Sequence, residues 1–517
     1  MKSWLNNAVF YQIYPQSFFD INGDGIGDIQ GIIAKLDYIK DLGCNAIWIN
    51  PCFDSPFKDA GYDIKDYCKV APRYGTNEDL IQCFMEAHKR GMRVILDLVP
   101  GHTSDEHEWF RESQKDEKNK FTNRYIWTTN FFETPTTTNL NSIRGNSERS
   151  AGYILNFFLN QPALNYGFNH IDADWQLPIN HPDCLATRDA MKDVMRFWLD
   201  HGCDGFRIDM ASSLVKNDDP ERSGTIAVWE DICKAINLSY PEAVLISEWG
   251  NPVQALKAGF DCDFLLIHNC PGYRSLLRNY GSFFADNAIE LDNSYFKKVS
   301  TTDISSFLNE YGRLYEATKD RGYISMITGN HDIMRIGYNL SVDELKLAYA
   351  FIFTMPGVPF LYYGDEIGMK HLTVHNKEGG YARTGSRTPM QWSNGKNLGF
   401  SDGNPDSLYL PVDPSENAST VEAQQRDPVS LYNTVKEVLA LRQKYPELQA
   451  TANFSFLYAN ERSFSYLRGS MTIAINPGIK EEIIPVDIQG KILWLIGTAA
   501  IQNNSIILGP QSFCLIS

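Results

Sequence analysis

Seven side chains in this sequence are of types that do acid–base and nucleophilic work. They are Asp97, His102, Arg207, Asp209, Glu248, His331 and Asp332, and each follows a short apolar run. The stretch Gly202-Cys203-Asp204-Gly205-Phe206-Arg207-Ile208-Asp209 reads as a turn and a buried strand. Side chains alternate faces along a strand, so Arg207 and Asp209 share one face and Phe206 and Ile208 the other. A buried cation and carboxylate are costly unless both are satisfied, and alone they serve equally well as a structural ion pair. Three carboxylates, two histidines and an arginine at the ends of different strands are hard to explain as packing. Two carboxyl groups across an acetal bond are the parts of glycoside hydrolysis: an ionised one attacks, a protonated one donates to the leaving oxygen. Arg207 beside Asp209 favours the ionised form there. Glu248, on an otherwise apolar strand next to Trp249, is the better acid. No glycine-rich phosphate loop ending in Lys-Ser/Thr and no Gly-x-Ser-x-Gly elbow is present, which disfavours phosphoryl transfer and a serine hydrolase.

These residues need a scaffold, and the apolar runs supply one. Strands are expected at 8–14, 45–49, 93–99, near 205–209, and at 243–248, 263–267, 323–327 and 358–363. Helical stripes lie between them, over 29–42, 77–90, 186–200 and, behind a Ser341/Glu344 capping signal, 345–353. Eight strand-then-helix units predict a (β/α)8 TIM barrel, whose chemistry sits at the C-terminal ends of its strands. The expected organisation is a barrel in two parts, 1–100 and 172–445. An irregular domain, 101–171, is inserted after strand 3, and 446–517 forms a C-terminal all-β sandwich.

At 517 residues two or three domains are expected, and 43% hydrophobic and 21% charged residues are ordinary for a globular protein. A net charge of −16 argues against a nucleic-acid partner. No apolar run approaches the ~18 residues that span a bilayer, and the N-terminus has no signal-peptide core. Ten scattered cysteines without a Cys-x-x-Cys pair fit reduced thiols and a cytoplasmic location. The loop Asp20-Ile21-Asn22-Gly23-Asp24-Gly25-Ile26-Gly27-Asp28 places oxygen groups at alternate positions, as a hard cation requires. It begins like an EF-hand, but Gly31 stands where the bidentate Glu should be.

The sequence resembles the α-amylase family, glycoside hydrolase family 13, over nearly its whole length. The matching motifs are Asp97-Leu98-Val99-Pro100-Gly101-His102, Gly205-Phe206-Arg207-Ile208-Asp209, Leu245-Ile246-Ser247-Glu248 and Gly329-Asn330-His331-Asp332. The resemblance implies Asp209 as nucleophile, Glu248 as general acid/base and Asp332 as transition-state stabiliser. Tyr62, His102, Arg207 and His331 would hold the sugar, and configuration would be retained, with the two carboxyls about 5–5.5 Å apart. The 22–28 run and Ser386-Arg387-Thr388-Pro389-Met390-Gln391-Trp392 are similar to the oligo-1,6-glucosidase and α-glucosidase branch. In that branch the counterparts of Asp63 and Arg387 grip a terminal glucose. One structural Ca2+ is bound in the loop matching Asp20, Asn22, Asp24, the Ile26 carbonyl and Asp28, and no organic cofactor is implied.

Four positions depart from the pattern. Gly101 replaces an Asn that binds a second calcium in amylases, so that second site is expected to be absent. Ala163 replaces an Asp. Met210, after the nucleophile, fits neither linkage preference of the branch. Ser212 and Ser213 replace a Lys-His pair of endo-amylases, which favours exo-action. The expectation is a retaining exo-acting α-glucosidase for short oligosaccharides, a monomer or homodimer. The alternatives are a trehalose or isomaltulose synthase, an endo-α-amylase, or a non-enzymatic transporter companion. Such companions carry a membrane span and lack the carboxylates.

Overall fold

The computed structural model describes residues 1–133, 135, 140–145, 147–279, 292–488 and 490–517. Part of the expected inserted domain, 134, 136–139 and 146, lies outside them. Eight parallel strands follow one another as β1 (Phe10–Ile13), β2 (Ala46–Ile49), β3 (Arg93–Leu98), β4 (Gly205–Ile208), β5 (Val244–Ser247), β6 (Cys262–Phe264), β7 (Tyr323–Ser325) and β8 (Phe360–Tyr362). Each of β1 to β6 pairs with its successor, and β8 pairs with β1. A parallel bridge from Ile327 to Phe360 closes the ring between β7 and β8. Almost every barrel-strand residue is buried, which is why these segments read as continuous apolar runs rather than alternating ones.

Alternation sets the barrel's layers. Phe10, Trp48, Phe264 and Phe360 pack ring against ring, with centroids 4.4–6.0 Å apart. One step further along the strands, on the same inward face, stand Gln12, Asp97 and Arg207. The aromatic layer is therefore a floor, and the polar groups form the next storey up. Asp97 and Arg207 are register partners on β3 and β4.

Two differences from the sequence reading have physical reasons. The apolar stripe over 29–42 is two helices, Ile29–Ala34 and Leu36–Leu42, because Lys35 leaves helical angles and lays its ammonium 4.0 Å from the Phe19 ring centroid. Leu266 and Ile267, expected in a strand, leave the sheet after Phe264 and face a cavity. A short apolar run does not say whether it is a strand or a cavity wall. Ser341 with Glu344 forms the expected capping box for Val342–Thr354, and Asp28, which the sequence offered as a cation ligand, caps Ile29–Ala34.

Between β3 and the long helix Pro182–Asp200 that leads into β4, the described residues form only short elements, among them Glu108–Ser113 and the hairpin Ser142–Arg144/Gly152–Ile154. After the helix Leu431–Lys444 come antiparallel strands, five in one sheet and three in another. Arg468 of this β region and Arg442 of that helix donate to carbonyls at the end of Val342–Thr354, capping it from outside. No described helix is long and apolar enough to cross a membrane.

Gly205 opens β4 at φ +146°, and a Cβ there would lie 2.1 Å from the Val244 carbonyl oxygen. Gly205→Ala must force β4 away from β5. It should lower the unfolding free energy by about 2–4 kcal/mol in denaturant titration, with loss of activity.

Candidate active site

Arg207 is 1% exposed and reaches three carboxylates. Its Nη1 stands 2.8 Å from Asp97 Oδ1 and 3.0 Å from Asp209 Oδ1, and its Nη2 2.7 Å from Glu248 Oε1. Asp97 is held further by the Trp48 indole N–H at 3.1 Å, the Asn50 amide at 3.3 Å and the Tyr62 hydroxyl at 3.0 Å. Its four donors and full burial make it the anchor of the cluster, and burial pushes its carboxyl up to about 6.

The other oxygen of Glu248 accepts the N–H of Met210 at 2.9 Å. Met210 adopts left-handed angles, φ 43° and ψ 40°, which a side chain with a Cβ enters at a cost. That backbone turn aims the peptide N–H at Glu248. Burial pushes Asp209 up to about 7, against the pull of Arg207. Glu248 is raised further, first by burial and then by the charges of Asp209 and Asp332. Sequence alone credits Arg207 to Asp209. In the structure the guanidinium serves both carboxyls and lies nearer Glu248, so it does not separate them. Burial and neighbouring carboxylates raise both.

Asp332 lies on the opposite side. Arg383 Nη1 is 2.7 Å and Arg387 Nη2 3.1 Å from its Oδ1, and His331 Nε2 is 3.2 Å from its Oδ2. The neighbouring His331 and the guanidinium groups hold its carboxyl well below the usual carboxylate range. His331 Nδ1 lies against the Gln12 and Asn50 amide nitrogens, both donors, so its proton sits on Nε2. Burial keeps the ring neutral. His102 is also neutral, pushed down to about 4. Its Nε2 donates to the Tyr62 carbonyl and its Nδ1 accepts from Asn156.

A cavity of about 360 Å³ opens here. Asp209, Glu248 and Asp332 line it, with Tyr62 and His102. Arg207, His331, Asp63 and Arg387 do not. Arg207 and His331 act from behind the wall, through the carboxylates they hold. Asp63 stands back from the cavity: its carboxylate accepts the N–H groups of Lys58 and Asp59 and the Ser55 hydroxyl, and so shapes a turn. The acid at the wall is Asp59, four residues earlier, whose Oδ2 accepts the Gln161 amide at 2.7 Å. Burial pushes Asp59 up to about 7. Arg387 also stands back from the cavity. It donates to the His331 carbonyl and lies behind Asp332, while Arg383, four residues earlier, lines the cavity 3.6 Å from Asp59. Asp63 and Arg387 each have a neighbour of the same charge four residues earlier that does line the cavity. The cavity's other lining includes Phe157, Trp249, Leu266, Ile267, His268 and Tyr381, none of which sequence reasoning singled out.

Two cation questions were raised by the sequence. At Gly101, a Cβ would meet the Asn156 amide at 2.8 Å. Asn156 fills that space and accepts the Lys216 ammonium, which also donates to the Ser213 carbonyl. In the 20–28 loop the side-chain oxygens accept the loop's own N–H groups: Asp20 those of Gly23 and Gly25, Asn22 that of Asp24, Asp24 that of Ile26, and Asp28 those of Ile21 and Gly31. All donors offered are oxygens, the set a hard cation uses. Among the described residues no three His, Cys, Asp or Glu side chains converge as a metal cluster.

A closed parallel barrel with paired carboxyls of raised, unequal acidity at the C-terminal ends of β4 and β5 defines a glycoside hydrolase of the TIM-barrel type. The model of the α-amylase catalytic domain matches residues 12–451, and the chain belongs to the α-amylase family. The chain is 33% identical to trehalose synthase/amylase TreS of Mycolicibacterium smegmatis, over 86% of this chain and 77% of that one. It is 30% identical to the probable oligo-1,6-glucosidase 2 of Bacillus subtilis, over 93% and 91%. Among solved structures, a variant of the trehalulose synthase MutB of Pseudomonas mesoacidophila, in complex with the substrate sucrose, superposes with a TM-score of 0.81 at 25% identity, over 100% of this chain and 99% of that one.

Replacing Arg207 with Met would leave Asp97, Asp209 and Glu248 buried without their cation. Unfolding free energy should fall by about 3–5 kcal/mol. The loss should be larger at pH 8 than at pH 5, because protonation at the lower pH relieves the repulsion among the three carboxylates. Denaturant titration at the two pH values checks both the size and the order.

Proposed function

We propose that this protein is a retaining, exo-acting α-glucosidase of short α-glucosides. The observation that carries the reading is one buried guanidinium holding Asp209 and Glu248 on its two arms at the cavity wall, both carboxyls pushed up by burial. Asp209 attacks the anomeric carbon while Glu248 gives its proton to the leaving oxygen. Water, deprotonated by the same Glu248, then opens the glucosyl–Asp209 ester, and two inversions retain configuration. Asp332, kept ionised by Arg383, Arg387 and His331, holds hydroxyl groups of the distorted sugar. Asp59 and Arg383 form a charged wall beside Asp332, suited to the hydroxyls of a terminal glucose, and this supports exo-action. We assign one Ca2+ to the 20–28 loop, where it would displace N–H groups from the Asp20, Asn22, Asp24 and Asp28 oxygens. The ten free thiols support a cytoplasmic setting.

The likeness to TreS and MutB favours a second reading, in which the released sugar re-attacks the glucosyl enzyme before water does. A proton NMR time course with maltose separates the two: early α-glucose supports hydrolysis, a new disaccharide as main product supports isomerisation, and early β-glucose overturns retention.

Asp209→Asn should lower kcat/KM by at least about 10³-fold. The pH profile of kcat/KM should rise as Asp209 ionises and fall as Glu248 loses its proton. Glu248→Gln should cost about 10²–10⁴-fold and abolish the alkaline limb. Calorimetric titration should show calcium binding that Asp24→Ala removes.

A further inference from the structure

Asp263, on β6, is fully buried and has no part in the chemistry just described. Its Oδ1 accepts three donors: the Ser247 hydroxyl at 2.8 Å, the Trp249 N–H at 3.0 Å and the Gly250 N–H at 3.4 Å. Its Oδ2 has no hydrogen-bond partner among the described residues. The three donors bracket Glu248: one precedes it and two follow it. Glu248's own peptide groups are held from the other side, its N–H by the Ile208 carbonyl at 2.9 Å and its C=O by the Ala211 N–H at 3.1 Å. Asn269, on the loop after β6, adds a bond to the Trp249 carbonyl at 3.1 Å.

We infer that Asp263 is a positioning residue for Glu248, pinning the chain on both sides of the acid so that its carboxyl stays aimed at the leaving-group oxygen. β5 ends at Ser247, and past the bond from the Glu248 N–H to the Ile208 carbonyl the strands no longer fix the backbone. A buried carboxylate on the neighbouring strand takes over that task. Leaving these buried N–H and O–H groups without an acceptor is what makes the alternative conformers of 247–250 costly, and what makes their removal felt. Burial pushes Asp263 up to about 7. Anchoring therefore rests on the lone pairs of Oδ1, which survive protonation, and not on the charge. The groups that bear on the protonation of Glu248 are Arg207, Asp209 and Asp332, and Asp263 acts on its placement instead.

The inference rests on Glu248 being the acid, and the test separates the two. A nitrophenolate leaves without much protonation, whereas the glucose released from maltose needs it. Three variants, Asp263→Ala, Asp263→Asn and Glu248→Gln, are compared by kcat/KM on maltose and on 4-nitrophenyl α-glucoside. Glu248→Gln should lose far more on maltose than on the aryl glucoside. Asp263→Ala should show the same pattern in weaker form, about 30-fold on maltose against no more than about 3-fold on the aryl glucoside. Asp263→Asn, which keeps the acceptor oxygen, should stay within about 3-fold on both. Equal losses of Asp263→Ala on the two substrates, or an Asn variant as poor as the Ala variant, would overturn the positioning role. Equal losses for Glu248→Gln would overturn the acid assignment beneath it.

Discussion

One cation under three carboxylates is the constraint on which the rest depends. Desolvating Arg207, Asp97, Asp209 and Glu248 together costs more than any single contact returns, so the cluster persists only because every approach is held by the frame. The excess is negative. That excess, with burial, keeps one of the two cavity-facing carboxyls protonated near neutral pH, and a proton donor needs this. Had each acid its own cation, both would ionise and the site could attack but not protonate. Sharing a guanidinium is thus a chemical device as much as a structural one.

The frame works by register. Asp97 and Arg207 face each other because β3 and β4 pair Leu96 with Phe206 and Leu98 with Ile208. A slip of one residue would turn Arg207 into the helix layer. Gly205 lets β4 come close to β5, and Met210, turned left-handed just after β4, presents its N–H to the carboxyl leaving β5. Below them the rings of Phe10, Trp48, Phe264 and Phe360 fill the barrel and shut water out from that end. Above, the loops after β6 and β8 supply the walls. Precision resides in the strands, variety in the loops.

How legible this was follows from the same division. The strands and the residues at their ends can be read from the sequence, since buried parallel strands announce themselves as apolar runs and their polar termini stand out. The carboxylates Asp209, Glu248 and Asp332 were found in this way. The loops were read less well. Asp59 and Asp63 lie in one turn, as do Arg383 and Arg387, and nothing in residue type says which of each pair lines the cavity. Only the turn itself, shaped by Asp63 taking the N–H of Asp59, decides. Leu266, Ile267 and Phe157 were illegible for a different reason: an apolar side chain lining a cavity has the same composition as one in a core.

That asymmetry in the lining bears on what becomes of the glucosyl enzyme. The wall by Asp332 is charged, with Asp59 and Arg383, and can fix one sugar by its hydroxyls. Phe157, Trp249, Leu266 and Ile267 form an apolar and aromatic side, which can hold the face of a sugar without specifying its hydroxyls. A departing sugar held by faces is free to turn, and a sugar that turns before it leaves can offer a different hydroxyl to the same anomeric carbon. Water must enter the volume that sugar vacates. On the proposed mechanism, hydrolysis and isomerisation would both call on the carboxylate cluster, and this apolar side is where the dwell of the leaving sugar would bear on the outcome.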